Sequence, residues 1–344
     1  MKILLVGSFL EGSLESSFFS AFLKLGYEID KFVFLEEYKK VNPFAQYKYF
    51  NCLCGQYFYS LINQKLLKKI KLSQPELVLV IKGEFIFPET LCQIQQQTTA
   101  LLYNFNPDNP FNMARGASND LIRKSIPFYD CYFVWGQFLI PELKRAEAKR
   151  VEYLPFAYDP ELHYPVQLTE QEKNIYGSDV AFIGTWDKER EKWLENLRDY
   201  DLAIWGNSWE KLRIGSPLRK KWRDRAVIGE EFSKVCNASK IVLNLVRKQN
   251  KDANNMRTFE VPACGGFMLA TRTKEQCEFF TEGKEIECFD SIEELKVKIN
   301  NYLCKDRERK AIAANAHDKA STHTYAQRAK KILNVYKELR ANND

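Results

Sequence analysis

Asp252-Ala253-Asn254-Asn255-Met256-Arg257-Thr258-Phe259-Glu260-Val261-Pro262-Ala263-Cys264-Gly265-Gly266-Phe267 is the stretch whose reading decides the fold. An apolar run, Ile241–Val246, precedes it and a second strand, Gly266–Ala270, closes it. Strand, loop, short helix and strand in succession are the repeating unit of a parallel α/β sheet. A loop that leaves a strand and enters a helix turns the amides of about Ala253 to Met256 outward, where they can hold an anion. Arg257 and Glu260 are three residues apart and share a helix face. Amides and Arg257 suit the phosphates of a nucleoside diphosphate, and the Glu260 carboxylate suits the two hydroxyls of a ribose. The plainer reading is an Arg–Glu pair on a helix surface, worth ~0.3–0.5 kcal/mol and silent about function. Pro262 counts against a long regular helix.

The same alternation runs outward on both sides. Strands are expected at Ile3–Val6, Glu28–Leu35, Leu77–Ile81, Ala100–Tyr103 and Cys131–Trp135, with Phe18, Phe19, Phe22, Leu23 and Leu25 marking a helix that Gly26 closes. Val151–Val166, with three prolines, reads as the crossing between two domains. Beyond it come strand Asp179–Ile183 ending in Gly184-Thr185, a charged helix from Asp187 to about Leu197, strand Leu202–Trp205, a basic run from Lys211 to Arg225 and helix Glu230–Ala238. After the quoted stretch follow helix Lys274–Phe280, strand Glu285–Phe289 and a helix with Ser291 and Glu294 as a capping box. Tyr325, Ala329, Ile332, Tyr336 and Leu339 form one apolar stripe on a last helix.

The expectation is therefore two doubly wound α/β domains: 1–155, 156–322, and a helix over 323–344 that packs back on the first. Open sheets bind ligands beyond strand carboxyl ends, so the two would face an interdomain cleft. In the first domain this selects the loops Gly7–Gly12, Lys82–Phe85, Asn104–Asn112 and Gly136, and within them Gly7, Ser8, Lys82 and Asp108. Asn106-Pro107-Asp108-Asn109-Pro110 is equally ordinary turn chemistry. In the second domain Gly184, Thr185, Lys188 and Arg190 are further candidates for phosphate, and Lys188 and Arg190 read equally as solvated helix residues.

The 344 residues are 45% hydrophobic, 14% aromatic and 28% charged, a globular composition that excludes disorder, and a net charge of +6 does not ask for a nucleic acid. The nine cysteines are an odd count with one close pair, Cys52 and Cys54, and the others sit among apolar residues. That suits a reducing, cytoplasmic setting with cysteines as small buried hydrophobes. The opening apolar run stops after four residues, too short for a signal segment, and no run approaches the ~20 residues that span a bilayer. Asp199-Tyr200-Asp201 has the form of a metal-binding Asp-x-Asp but precedes its strand and reads as a turn. His317 and His323 lack ligands at zinc spacing. Lys211, Arg213, Arg219, Lys220, Lys221, Arg223 and Arg225 form a solvated face or, more sharply, a peripheral contact to an anionic membrane. Trp205, Trp209 and Trp222 read as core or rim.

Asn255 to Leu269, followed by Phe279-Phe280-Thr281-Glu282-Gly283-Lys284-Glu285, resembles the CgeB-like (spore maturation protein) branch of the group 1 glycosyltransferases. Lys82-Gly83, the Asp108 loop, Leu154-Pro155-Phe156-Ala157, Phe182-Ile183-Gly184 and His323-Thr324-Tyr325 with Arg328 add weaker matches. The resemblance implies a GT-B fold in a bacterial enzyme, with an acceptor-side first domain and a second domain that holds a nucleotide-sugar, taken as a UDP-sugar. It implies transfer to a glycan, lipid or protein acceptor, with the donor as co-substrate and neither cofactor nor metal. The donor site would comprise Glu260, Arg257, Asn255, Met256, Gly184, Thr185, Arg190 and Lys188, and the acceptor side Gly7, Ser8 and Lys82. Asp252 and Glu260 have the eight-residue spacing of the group's acidic pair, so Glu260 would bind the ribose and Asp252 would face the sugar. Here Asp252 stands where Glu is usual, and Ala253 and Asn255 replace glycines. Asp252 and Asp108 are the catalytic candidates, Asp108 as the acceptor's base. A non-catalytic binder of the same ligands and a nucleotide-sugar epimerase are the alternatives.

Overall fold

The computed structural model describes residues 1–42, 48–113, 117–250 and 252–342, with backbone alone over 48–54. The chain divides into two compact units, Met1–Pro155 with Tyr325–Asp344, and Phe156–Thr324. Unit 1 is built on β1 (Lys2–Gly7), β2 (Glu28–Val33), β3 (Leu77–Ile81), β4 (Leu101–Asn106), β5 (Cys131–Val134) and β6 (Val151–Tyr153). All pair in parallel, in the order β2-β1-β3-β4-β5-β6. Unit 2 holds β7 (Ser178–Ile183), β8 (Leu202–Trp205), β9 (Ser239–Asn244), β10 (Met268–Thr271) and β11 (Glu287–Phe289), parallel in the order β11-β10-β9-β7-β8. Counted within each unit, the two orders agree over the first five strands, and unit 1 adds a sixth at its edge. Each unit's first strand lies between its second and third, so the winding reverses at β1/β3 and at β7/β9. Each reversal leaves a crevice beyond the strand carboxyl ends, where open sheets bind ligands.

Burial explains the strands. Leu77, Val78, Leu79, Val80 and Ile81 are all buried, as a central parallel strand covered on both faces requires. The helix Leu14–Lys24 buries Phe18 and Phe22 against the sheet and ends at Gly26, whose φ of +81° costs little without a Cβ. The last helix, Tyr325–Ala341, packs on unit 1, with the Tyr325 ring 5.0 Å from Phe18 and Ile332, Leu333 and Val335 buried. Arg328 Nε donates to the Pro155 carbonyl (2.8 Å) and Arg340 to that of Thr99 (2.6 Å). Phe182, Trp209, Leu243, Leu269 and Phe289 form the heart of unit 2.

The structure corrects several sequence expectations. β4 runs on to Asn106 because Asn104 and Asn106 are buried in the strand, where Asn104 Nδ2 reaches the Lys82 carbonyl at 3.3 Å. β2 stops at Val33, and Phe34 begins a helix. Val151–Tyr153 is not part of a crossing but the edge strand β6, paired with β5. Ser291 does cap its helix, but Glu294 reaches the amide of Asp290 rather than that of Ser291, so the box is open. Thr169 and Glu172 form a closed one instead. Leu23 is exposed, and in the last helix Tyr336 and Leu339 are half-buried, so the buried stripe follows Arg328, Ala329, Ile332 and Leu333. Cys277 and Cys304 are exposed and Cys92 is half-buried, so these are not core cysteines; the side chains of Cys52 and Cys54 lie outside the described residues.

Candidate active site

The reversal in unit 2 gathers its charged residues from four segments. β7 ends in Gly184-Thr185, whose path is fixed by close packing: a Cβ on Gly206 would lie 2.0 Å from the Gly184 oxygen, which also accepts a hydrogen bond from Trp209 Nε1 at 2.9 Å. Asp187 then caps the helix Lys188–Glu195, accepting from the amides of Glu189 (3.0 Å) and Arg190 (2.9 Å). Its other oxygen stands 3.4 Å from Arg190 Nε and 3.0 Å from Arg247 Nε. The Arg190 guanidinium donates to the carbonyls of Thr185 (2.9 Å) and Leu245 (3.2 Å) and so spans the ends of the two chain segments that leave β7 and β9. Burial, with the charges of Arg247 and Arg257 nearby, lowers its pKa to about 10.

Arg257 opens the helix Arg257–Ala263 from the other side. Its Nε donates to the Ile183 carbonyl (3.1 Å), its guanidinium carbon lies 4.7 Å from the Phe232 ring centre, and a terminal nitrogen bonds Glu260. Glu260 is only 2% exposed. The pair is thus not a surface ornament: its carboxylate is buried and its cation half-covered. The second Glu260 oxygen faces His163 Nε2 at 3.7 Å. The His163 ring meets Phe232 edge to face (5.3 Å), and its Nδ1 contacts the Asp159 backbone. Burial lowers the His163 pKa, outweighing the opposing pull of Glu260, so the ring is neutral at pH 7.

The remaining candidates divide. Met256 stands at the helix start, and its carbonyl accepts from Phe259 and Glu260. Lys188 and Thr185 are exposed. Asn255 turns inward rather than toward a ligand. Its Nδ2 donates to Asn244 Oδ1 (2.7 Å) and its Oδ1 accepts from the Thr258 amide (3.2 Å), tying the loop to a buried network of Asn244, Thr258 and Gln276. Two of the four amides expected to point outward are also engaged within the chain: Ala253 donates to Asn250 and Asn255 to Thr258 Oγ1. Asp252 is exposed, and its carbonyl accepts from the Glu275 amide. Arg247 and His163 were not singled out in the sequence. Arg247 follows a strand end by a few residues, the one signal that could have flagged it.

In unit 1, Ser8, Lys82 and Asp108 do come together at the β1/β3 reversal, around a cavity of about 400 Å³, while Gly7 ends β1 beside it and is not part of the lining. Glu15 from the first helix fills the space that a Cβ on Gly7 would take (2.6 Å) and accepts from the Ser8 hydroxyl (2.7 Å) and amide (3.1 Å). Lys82 Nζ lies 3.0 Å from Asp108 and 3.4 Å from Glu84. Burial acts to lower its pKa, but the two carboxylates prevail and raise it, so the lysine is a firm cation. Asp108 is therefore an ion-pair partner, and a proton it accepted would have to displace Lys82 from it.

Elsewhere, the basic run is partly structural. Arg219 donates to the carbonyls of Arg213 (2.9 Å) and Glu210 (3.1 Å), Lys221 to that of Tyr200 (2.8 Å), and Arg225 pairs with Glu231 and covers Trp205. Lys211, Arg213, Lys220 and Arg223 are exposed around Ile214, itself 95% exposed. Among the described residues one group could hold a metal ion, Cys277, Glu282 and Cys288. Its carboxylate is already bound by Arg272 and Lys298, cations that compete with a metal. No helix among the described residues is long and apolar enough to cross a membrane.

Residues 188–334 match the family model described as glycosyl transferase-like, a span that takes in Arg190, Arg247, Arg257 and Glu260. A comparison with curated protein sequences finds no match. Solved structures match over nearly the whole chain. They include a sucrose-phosphate synthase from Thermosynechococcus elongatus (TM-score 0.73, 13% identity, 99% of both chains) and a glycosyltransferase from Rickettsia africae (0.66, 15%, 99% of both). HepE from Anabaena in complex with UDP-glucose gives 0.66 and 13% over 97% of this chain and 100% of the other. The chain has the GT-B fold, two Rossmann-like α/β domains, and carries a glycosyltransferase-like domain.

Proposed function

We propose that the chain is a CgeB-like glycosyltransferase that moves a sugar from a UDP-linked donor to an acceptor on unit 1, without a metal. The observation that carries this is the meeting of Arg190, Arg247 and the Arg257–Glu260 pair at the β7/β9 reversal, where an open sheet binds its ligand. Departure of a nucleoside diphosphate builds negative charge on its phosphates. The guanidinium groups of Arg190 and Arg247, both held by Asp187, can stabilise that charge with little reorganisation, as a metal would otherwise have to. Arg257 is bonded to Glu260 in the free protein. Donor binding would exchange that bond, Arg257 turning to the phosphates and Glu260 to the ribose hydroxyls. Asp252, exposed at the loop, would face the sugar, and Asp108 with Lys82 would meet the acceptor hydroxyl. A complex of a similar fold with UDP-glucose supports the choice of nucleotide. A peripheral contact to anionic lipid through Lys211, Arg213, Lys220 and Arg223 belongs to the same proposal, and co-sedimentation with acidic vesicles at low but not high salt tests it.

The test of the donor site is thermal stability against UDP-, GDP- and ADP-sugars. A ligand at 100 times its Kd stabilises by ~2.7 kcal/mol. One nucleotide class should raise the Tm of the wild type and not of Glu260→Ala. Product analysis then separates the activities: a transferase releases nucleoside diphosphate when an acceptor is supplied, an epimerase alters the sugar without one, and a binder does neither.

A further inference from the structure

We propose that the unit 1 cavity takes an uncharged or amine-bearing sugar and turns away phosphorylated or carboxylated ones. Calling that sugar an acceptor rests on the glycosyltransferase reading, but the selectivity rests on the cavity alone. The cavity, about 400 Å³, is of small-molecule size and sits at the β1/β3 reversal. Its charged lining is Glu15, Glu84 and Asp108 against Lys82, three carboxylates to one ammonium. The ammonium is already shared between Asp108 and Glu84. An entering phosphate would have to take Lys82 from both and would still face Glu15, which is 7% exposed and so poorly screened. A hydroxyl meets no such conflict, because carboxylate oxygens accept its proton and Lys82 can donate to its oxygen. An amine is attracted outright. Phe34 and Phe85, 5.7 Å apart edge to face, supply the apolar wall that the C–H face of a sugar ring needs.

The backbone is committed to this arrangement. Lys82 has φ +63° and Gly83 +84°. A left-handed lysine costs about 1–2 kcal/mol, strain that persists only where the surroundings impose it. A Cβ on Gly83 would lie 3.0 Å from the Tyr129 hydroxyl and 3.2 Å from Val80 Cγ1, so the turn packs too closely for a larger residue.

Ligand-observed saturation-transfer NMR tests the proposal with four sugars that share one ring, methyl glucoside, glucosamine, glucose 6-phosphate and glucuronate, and with UDP-glucose as a parallel donor probe. Methyl glucoside and glucosamine should bind, the two anions at least about tenfold more weakly at low ionic strength, with salt and Glu84→Gln each narrowing the gap. Glu84 is partly exposed, so this variant should keep its fold, and an unchanged Tm checks it. Anionic sugars that bind as well as methyl glucoside overturn the proposal. UDP-glucose bound with no sugar bound overturns it and leaves the donor site standing. Sugars bound as expected without UDP-glucose sustain it and remove the donor reading instead.

Discussion

His163 Nε2 stands 3.7 Å from Glu260 Oε1, although the two residues are 97 positions apart and the histidine is neutral at pH 7. Burial holds the folded-state pKa of His163 below its ordinary value of 6.5. The unfolded chain therefore takes up the proton first as pH falls, so the contribution of His163 to stability is full above pH 6.5 and declines below it. The Tm of the wild type should drop between pH 7 and 5 more steeply than that of His163→Gln. Parallel pH profiles for the two proteins would remove the histidine from the account of acid sensitivity.

Glu260 and Arg257 should behave as one unit. Removing Glu260 alone leaves Arg257 facing a buried gap, and removing one partner of a well-covered pair costs about 3–5 kcal/mol, less here because Arg257 is partly exposed. Glu260→Ala should therefore lower stability by about 1–3 kcal/mol, and Arg257→Ala with Glu260→Ala by less than the sum of the two single losses. Urea unfolding of the three variants measures this coupling. Strict additivity would mean that the two side chains do not depend on each other.

The parts of this site were unequally legible. Leu77–Ile81 announced itself because a strand covered on both faces is apolar without interruption. Arg257 and Glu260 were legible because helical spacing alone puts them on one face. His163 was not, since only tertiary folding within unit 2 brings it to Glu260 of the helix Arg257–Ala263. Asn255 looked outward on sequence, but Asn244, buried at the end of β9, needs a polar partner and takes it. The end of β4 was missed for the same reason: asparagines read as loop residues unless something inside bonds them, as the Lys82 carbonyl does Asn104 and the Tyr132 hydroxyl does Asn106. β6 was hidden by its shortness and by Pro155 just beyond it.

Arg190 and Arg247 predict a division between nucleotide and nucleoside. Both are held by Asp187, and Arg190 lies within the field of Arg257. If they take the phosphates, Arg247→Gln should weaken UDP about tenfold or more, the scale of one charge-assisted hydrogen bond, while leaving uridine unchanged. Calorimetric titration with both ligands at two salt concentrations distinguishes this from a general loss of the site. Equal weakening of UDP and uridine would assign Arg247 to holding the loop.

Gly206 is the position where one methyl group should undo the donor turn. Its added Cβ would sit 2.0 Å from the Gly184 oxygen and 2.6 Å from the Gly184 carbon, both backbone atoms that no rotamer change can clear. Gly184 cannot retreat easily, because its amide donates to Trp205 (2.8 Å) and its carbonyl receives Trp209 Nε1. Trp222 Nε1 pins Gly206 itself at 3.1 Å. Gly206→Ala should therefore cost about 3 kcal/mol or more, the range of overpacking joined to backbone strain. Gly215→Ala is the control, since nothing lies within 4 Å of a Cβ there and its φ is ordinary. That variant should stay within about 0.5 kcal/mol of the wild type, or gain slightly by restricting the unfolded chain. Urea midpoints for the two alanine variants decide the matter. If they coincide, the approach of β8 to the β7 turn is looser than 2.0 Å implies, and the path of Gly184-Thr185 past Arg190 is not fixed by it.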